Sequence, residues 1–144
     1  MKINRKSYNF SHSFRIRYSE VDAQGIVFNA HYLTYFDCAI TEYFRAIKYN
    51  YAGEVKKKNQ DFHVIKTIIE FKKPIIFDQI VDACIKTSYI GTSSLKFEIS
   101  LFVNKLNKLL AYGEIIQVYA DQKTNKAIPL PRPLVAKIRR FESI

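Results

Sequence analysis

Residues 18–32 bring two carboxylates, a glycine and the start of a long apolar segment close together. Glu20 and Asp22 follow a short alternating run, Gly25 lies in the loop after them, and Asn29 precedes the apolar residues. Because Asn is a favourable N-cap, a helix is predicted to begin directly after it. A carboxylate is then predicted to lie close to the N-terminus of a buried helix, where an anion or a polarised carbonyl oxygen is stabilised. The segment is therefore predicted to be a catalytic site.

The elements that position this loop are a strand before it and a helix after it. Residues 13–18 alternate in polarity, which predicts a half-buried strand with Phe14, Ile16 and Tyr18 on one face. Residues 30–50 follow a helical pattern in which the polar side chains form one narrow stripe. Most of the circumference of such a helix must be covered. Because the sequence offers no second long apolar helix, a sheet is expected to curl around this one.

Four further segments have the β-branched or alternating pattern of strands: 62–72, 79–90, 94–103 and 109–120. Short turns between consecutive segments favour antiparallel pairing. Prolines then exclude continuation of the sheet, and a short helix is predicted over about 133–142. We expect one α+β domain over residues 1–144, with a core at about 13–122. In it, a curved antiparallel sheet of about five strands wraps around one long buried helix.

Composition and charge narrow the class of protein. The chain has 144 residues, is 48% hydrophobic and carries a net charge of +10. No apolar run is long enough to span a bilayer, and residues 1–10 lack the apolar part of a secretory signal, so a cytoplasmic protein without membrane insertion is expected. The charge favours an anionic partner, but the basic residues are spread along the chain, which argues against nucleic acid.

Cysteine and histidine usage predicts neither a disulfide framework nor a metal site. Cys38 and Cys84 both lie in apolar runs outside any CxxC pattern, and they are predicted to be buried free thiols. Three scattered histidines and two isolated cysteines do not make a metal site.

Several motifs follow one another in a characteristic order between residues 14 and 119. Tyr18–Asp22 reads Tyr-x-x-x-Asp, the next residues read x-x-Gly-Ile-Val-Phe, and Asn29–Tyr32 reads Asn-x-x-Tyr. Phe71–Asp78 is a strand, proline, loop and aspartate passage, and Gly91–Phe97 is a Gly-x-Ser-Ser strand entry. The order resembles the hotdog-fold acyl-CoA thioesterases, in particular the 4-hydroxybenzoyl-CoA thioesterase family with the bacterial enzyme encoded beside the Tol-Pal system. The resemblance implies side-by-side pairing of subunits, with active sites at the dimer interface.

The resemblance also implies roles for the residues of the loop. Asp22 would act as nucleophile or general base, and backbone N–H groups around Asn29 to His31 would form the oxyanion hole. Many members carry His where this chain has Asn29, and Asn cannot transfer a proton near neutral pH. Asn29 would instead orient the acyl carbonyl or water, which leaves Asp22 as the sole side-chain catalyst. Glu20 is expected to be a solvated neighbour.

The predicted substrate-binding residues are Tyr18, Gly25, Val27, His31, Tyr32, His63, Thr92, Ser93 and Ser94. The last three, with basic residues, would meet the phosphates of coenzyme A, which belongs to the substrate, so no separate cofactor is expected. The expected reaction is hydrolysis of an acyl-CoA thioester by a homodimer or homotetramer. The sequence leaves open whether the acyl group is fatty or aryl, and whether its carrier is CoA or acyl carrier protein. It also leaves open a hotdog protein that binds acyl-CoA or acyl carrier protein without turnover.

Overall fold

The computed structural model describes residues 2–144, and its helices and strands surround a single core. The strands are β1 (Phe10–Arg15), β2 (Gln60–Phe71), β3 (Ile80–Ile90), β4 (Ser94–Val103) and β5 (Leu109–Asp121). The helices are α1 (His31–Ala46), α2 (Tyr51–Lys58) and α3 (Arg132–Glu142), with short 3₁₀ turns at Arg5–Ser7 and Tyr18–Glu20.

One antiparallel sheet contains all of these strands, in the order β1-β3-β4-β5-β2. Short turns join β3 to β4 and β4 to β5, and these strands pair as successive hairpins. β2 pairs with the outer side of β5, with Thr67 opposite Ile115 and Phe71 opposite Ala111, so β2 forms one edge of the sheet. The α+β class and the five-stranded antiparallel sheet are confirmed.

The long helix α1 packs its apolar face against the sheet, while its opposite side, with Thr34, Asp37 and Arg45, is exposed. Its buried residues are Tyr32, Tyr35, Phe36, Ala39, Ile40, Tyr43 and Phe44. Phe36 lies against Gly113 of β5, where an added Cβ would come within 2.2 Å of the Phe36 ring carbon Cε2. Alternate residues of β4 from Leu95 to Leu101 are fully buried beneath the helix side of the core. This burial of apolar surface is the main stabilising term, and it is what the narrow polar stripe predicted.

The first strand ends earlier than predicted, and this changes the position of Tyr18. Ile16 still pairs with the loop before β3, since its N–H donates to the Gln79 carbonyl at 2.9 Å. The chain then turns at Arg17, whose N–H donates to the Glu20 carboxylate at 2.7 Å. Tyr18 is therefore not an inward-facing strand residue: its side chain is 79% exposed.

Residues 51–58 form the helix α2, where the sequence patterns predicted neither a helix nor a strand. The Asn50 side chain caps this helix by accepting the Gly53 N–H at 3.2 Å, and Asn59 ends it in the left-handed region with φ of +53°. The prediction of two buried thiols is half wrong, because Cys84 is buried but Cys38 is exposed on α1.

Candidate active site

A tight loop between β1 and α1 carries Asp22. Val21 and Val27 form an isolated bridge across the loop, and the Asp22 N–H donates to the Ile26 carbonyl at 2.9 Å. Gly25 has φ of +78°, a region that glycine enters without steric cost, and its N–H donates to the Asp22 carbonyl at 2.9 Å. Both backbone groups of Asp22 are thus fixed within the loop.

The carboxylate of Asp22 is held at one oxygen only. Its Oδ1 accepts the Gln24 N–H at 2.8 Å, a local bond that restricts the side-chain rotamer. Within residues 2–144 no side chain or backbone group bonds to Oδ2. The second oxygen is therefore available to a ligand while the first orients the group.

The turn that leads into α1 leaves backbone donors free. The His31 N–H donates to the Phe28 carbonyl at 3.0 Å, and the Tyr32 N–H donates to the Asn29 carbonyl at 3.2 Å. The N–H groups of Asn29 and Ala30 have no acceptor within the described part of the chain. The prediction that Asn29 is the N-cap is wrong, because Ala30 takes that position and no side chain caps the helix. Two free donors consequently lie at the positive end of a sixteen-residue helix.

A cavity of about 410 Å³ opens beside Asp22. Four of the predicted site residues line it: Asp22, Val27, Asn29 and Tyr32. The other lining residues, which the sequence did not indicate as site residues, are Gln24, Ile26, Phe71, Lys72, Lys73 and Pro74. Phe71 reaches the cavity because β2 ends beside the start of α1, where its ring meets that of Tyr32 edge-on with centroids 4.8 Å apart. The cavity thus has mostly apolar walls, one carboxylate and two lysines at its edge.

Other predicted site residues lie away from this cavity within one chain. Tyr18 is on the surface against Phe77, and His31 packs on Phe28. His63 and Ser94 both pair with Val118 of β5, and Thr92 and Ser93 lie in the turn just before Ser94. From His63 to the cavity residue Phe71, β2 spans eight residues, or roughly 26 Å at 3.3 Å per residue. A single chain therefore does not bring His63 or residues 92–94 to Asp22.

Glu20 is buried, so the prediction that it is a solvated neighbour is wrong. Only 5% of the residue is exposed. Its Oε1 accepts the Arg17 N–H at 2.7 Å, and its Oε2 accepts the Arg17 guanidinium Nη2 at 3.1 Å. Burial raises the pKa of Glu20, but the Arg17 N–H and guanidinium outweigh it and hold the pKa below its ordinary value. The Tyr35 hydroxyl of α1 lies beside this carboxylate, and burial and the Glu20 charge raise the pKa of Tyr35.

A second cavity of about 200 Å³ lies between α1 and the start of β2. Its lining residues are Asp37, Ile40, Thr41, Phe44, Tyr51, Phe62 and Gln117. The Gln117 Oε1 atom is buried without a hydrogen-bond partner among residues 2–144, and burial raises the pKa of Asp37. Such unpaired polar atoms are costly unless a ligand or water satisfies them.

The described residues contain no group of three or more His, Cys, Asp or Glu side chains arranged to hold a metal ion. Across residues 2–144, no helix has both the length and the apolar character needed to cross a bilayer.

A curved antiparallel sheet packed around one long central helix is the hotdog fold. The family model of the thioesterase superfamily matches residues 24–109, which is more than half of the chain. The chain belongs to the thioesterase superfamily. The suspected family and the prediction of a thioester hydrolase are thereby confirmed.

Named relatives and solved structures agree with this assignment. The acyl-CoA thioester hydrolase YbgC of Escherichia coli O6:H1 is 27% identical over 126 residues, which cover 88% of this chain and 92% of the relative. The crystal structure of the PA5185 protein of Pseudomonas aeruginosa is similar with a TM-score of 0.85 at 20% identity, covering 96% of this chain and 94% of that one. A 1,4-dihydroxy-2-naphthoyl-CoA thioesterase from Synechocystis has a TM-score of 0.83 at 15% identity, covering 90% and 94% of the two chains. These likenesses confirm the hotdog fold.

Proposed function

We propose that this protein is an acyl-CoA thioesterase that releases a free acid and the CoA thiol, with Asp22 as its catalytic carboxylate. The observation that carries the proposal is a carboxylate anchored at one oxygen and free at the other, in an apolar cavity at a helix start. The names of the relatives, which include an acyl-CoA thioester hydrolase and an aryl-CoA thioesterase, support CoA thioesters as the substrate class.

The chemistry requires a base or nucleophile and a site for the oxyanion. A thiol with a pKa of about 8.5 leaves as its thiolate with little acid assistance. In one route the free oxygen of Asp22 bonds to the thioester carbon, the C–S bond breaks, and water hydrolyses the mixed anhydride. In the other route Asp22 takes a proton from water as the water oxygen bonds to the same carbon. The C–S bond then breaks, and the leaving thiolate takes that proton from Asp22. Both routes use the same free oxygen and return Asp22 as a carboxylate.

The free N–H groups of Asn29 and Ala30 are the proposed oxyanion donors. They are unpaired and lie at the N-terminus of α1, so they can receive developing negative charge without breaking other bonds. The predicted donors ran from Asn29 to His31. His31 is left out of the proposal because its N–H is already bonded to the Phe28 carbonyl. Asn29 also lines the cavity, where its side-chain amide can orient the carbonyl or the water.

A second copy of the chain is proposed to complete the site. The edge strand β2 exposes apolar side chains over its length: Val64, Ile65, Ile68 and Phe71. Such an edge pairs readily with another strand. When two copies of β2 pair antiparallel about a two-fold axis, the Phe71 end of one lies beside the His63 end of the other. His63 and residues 92–94 of the second copy then approach the cavity of the first copy. Within one chain these residues are far from the cavity.

The proposed position of the CoA nucleotide is outside the cavity, near Thr92, Ser93 and Ser94 of the second copy. Lys72 and Lys73 lie at the edge of the cavity and favour an anionic carrier. The same charge suits an acidic acyl carrier protein, which remains the second proposed form of the substrate.

The test of the proposed function is thiol release from a panel of short, long and aryl acyl-CoA esters and acyl carrier protein esters. Asp22→Asn keeps the acceptor for the Gln24 N–H but removes the carboxylate, so kcat is expected to fall about 10²–10⁴-fold. Asp78→Asn, which changes an exposed aspartate paired with Arg15, is the matched control and should retain the wild-type kcat. An unchanged kcat in Asp22→Asn would show that Asp22 is not the catalyst.

A non-catalytic acyl-CoA-binding protein is the second candidate, favoured by Asn29 where many relatives of this type carry His. Tight binding of a non-hydrolysable acyl-CoA, with no thiol release from any substrate of the panel, would establish it.

The proposed dimer is tested by Ile65→Lys on the exposed edge of β2. Sedimentation should show a tenfold or larger loss of self-association, together with lost turnover, because a charge is placed in an apolar contact. Tyr89→Lys replaces a similarly exposed side chain on β3 and should leave both unchanged. Wild-type association in Ile65→Lys would rule out β2 as the contact.

A further inference from the structure

The conformation of the Asp22 loop depends on a buried carboxylate that does not line the cavity. Glu20 accepts bonds from both the backbone and the side chain of Arg17, and its own N–H donates to the Arg17 carbonyl at 3.0 Å. These bonds close the turn that ends the β1 segment. A buried carboxylate with so specific a set of donors favours this loop conformation, because losing the donors while the group stays buried would leave its charge unpaired.

Glu20 also connects the two halves of the site through its backbone. The Glu20 carbonyl accepts the Phe28 N–H at 2.9 Å. Phe28 directly precedes Asn29, and Glu20 lies two positions before Asp22, so this bond joins the two sides of the site. The Val21–Val27 bridge continues the same pairing toward the loop tip. The separation between the Asp22 carboxylate and the donors that follow Phe28 is therefore set at Glu20.

A third contact joins Glu20 to the helix. The buried Tyr35 hydroxyl lies beside the Glu20 carboxylate but makes no hydrogen bond of regular geometry within the described residues. The Tyr35 ring packs against that of Tyr32, with centroids 6.0 Å apart, and Tyr32 lines the cavity. Glu20 thus contacts both the loop and the helix that carries Tyr32.

We propose that Glu20 is a positioning residue that holds the Asp22 carboxylate and the free N–H groups of Asn29 and Ala30 in mutual register. The inference rests on the proposed thioesterase function, because it assigns those groups to one reaction. Glu20 does not line the cavity, so its effect is on the alignment of the reacting groups. Misalignment of about 1 Å in such a site costs roughly 10²-fold in rate.

Two substitutions separate positioning from simple stability. Glu20→Gln keeps an oxygen for the Arg17 N–H but places an amide NH₂ against the guanidinium, and kcat should fall about 3–10-fold. Glu20→Ala removes both acceptors, and kcat should fall about 10–100-fold with KM within about twofold, since the cavity lining is retained. Glu42→Gln is the matched control, because Glu42 is also paired with an arginine three residues away, and it should leave kcat unchanged.

Amide hydrogen exchange gives a readout that does not depend on turnover. In Glu20→Ala, protection of the Phe28 and Asp22 N–H groups should fall tenfold or more, while that of the Ala39 amide inside α1 should not change. If the wild type releases no thiol from any ester, the proposed function fails, and loss of this protection still supports the loop-positioning part of the inference. Unchanged kcat and unchanged loop protection in Glu20→Gln and Glu20→Ala, even with a lower melting temperature, would overturn it.

Discussion

Asp82 of β3 allows a quantitative test of how the N-terminal segment and the β4–β5 turn are held to the sheet. Its side chain is 1% exposed. Oδ1 accepts the Ser13 hydroxyl at 2.6 Å and the Asn104 amide at 2.9 Å, while Oδ2 accepts the Lys105 N–H at 2.8 Å and pairs with the Arg5 guanidinium at 2.6 Å. Four donors from three separate parts of the chain therefore meet on one carboxylate.

The contribution of this carboxylate to stability follows from its pKa. Burial alone raises the pKa, but the four donors outweigh it and lower the pKa of Asp82 from 3.8 to about 2. Each pKa unit between folded and unfolded chains is worth about 1.4 kcal/mol, so Asp82 contributes about 2.5 kcal/mol to the free energy of unfolding at neutral pH. Because the folded-state pKa is the lower one, this contribution is complete above about pH 5. It falls to about half near pH 3 and is largely lost at pH 2.

The assay compares urea unfolding of the wild type and Asp82→Asn from pH 7 to pH 2 at one fixed protein concentration, since self-association would otherwise shift the midpoints. Asn has nearly the same shape as Asp, but it turns an NH₂ group toward donors that bonded to the carboxylate. We expect a difference in unfolding free energy of about 2.5 kcal/mol at pH 7 that shrinks as the pH falls below about 4.

The exposed aspartate at position 78 supplies the control for this test. Asp78 pairs with Arg15 at 3.2 Å, but both side chains are more than half exposed, so Asp78→Asn should cost little at any pH. A difference for Asp82→Asn that stays constant from pH 7 to pH 2 would refute the reasoning. It would mean that shape, rather than ionisation, makes Asp82 important.

The strands and the long helix could be predicted because their signals are local. β4 matches its predicted range of 94–103, where regular alternation ends at a turn on each side. The narrow polar stripe of α1 gave the tertiary arrangement as well, because a helix that is apolar on most sides requires a cover. For these elements, periodicity and the required packing agree, so neither overrides the other.

Two of the errors occur where single side-chain bonds fix the local backbone. In α2, Asn50 is the N-cap, and Glu54 forms an i,i+4 ion pair with Lys58 at 3.1 Å. The lysine-rich composition of this segment concealed that helix signal. The turn at Arg17 depends on the reach of the Glu20 carboxylate to an N–H three residues back, which alternation does not reveal. Such bonds involve one residue pair each, so they leave no periodic trace in the sequence.

Some residues of the candidate site could be predicted from the sequence and others could not. Asp22 and Asn29 could be predicted together because one short loop and one helix start connect them. Phe71 and Lys73 could not, because only the pairing of β2 with β5 brings the end of β2 to that loop. His63 lies at the opposite end of the same strand, so its membership of a site depends on a second copy of the chain.

Two further perturbations test the packing around α1. The exposed Cys38 should react with a thiol reagent in the native protein, whereas Cys84, whose pKa is raised by burial, should react only on unfolding; two fast thiols per chain would contradict this. Gly113→Ala tests the contact between the sheet and the helix. Replacing a strand glycine usually stabilises a sheet, but here the new Cβ would lie 2.2 Å from the Phe36 ring and 3.0 Å from the Ile68 carbonyl. Overpacking should therefore lower the free energy of unfolding by about 1–3 kcal/mol. Phe36→Leu combined with Gly113→Ala should lower the free energy of unfolding by less than the sum of the two single changes, because the smaller side chain leaves room for the new Cβ. Strict additivity of the two changes in urea unfolding would show that the ring and the glycine do not share this space.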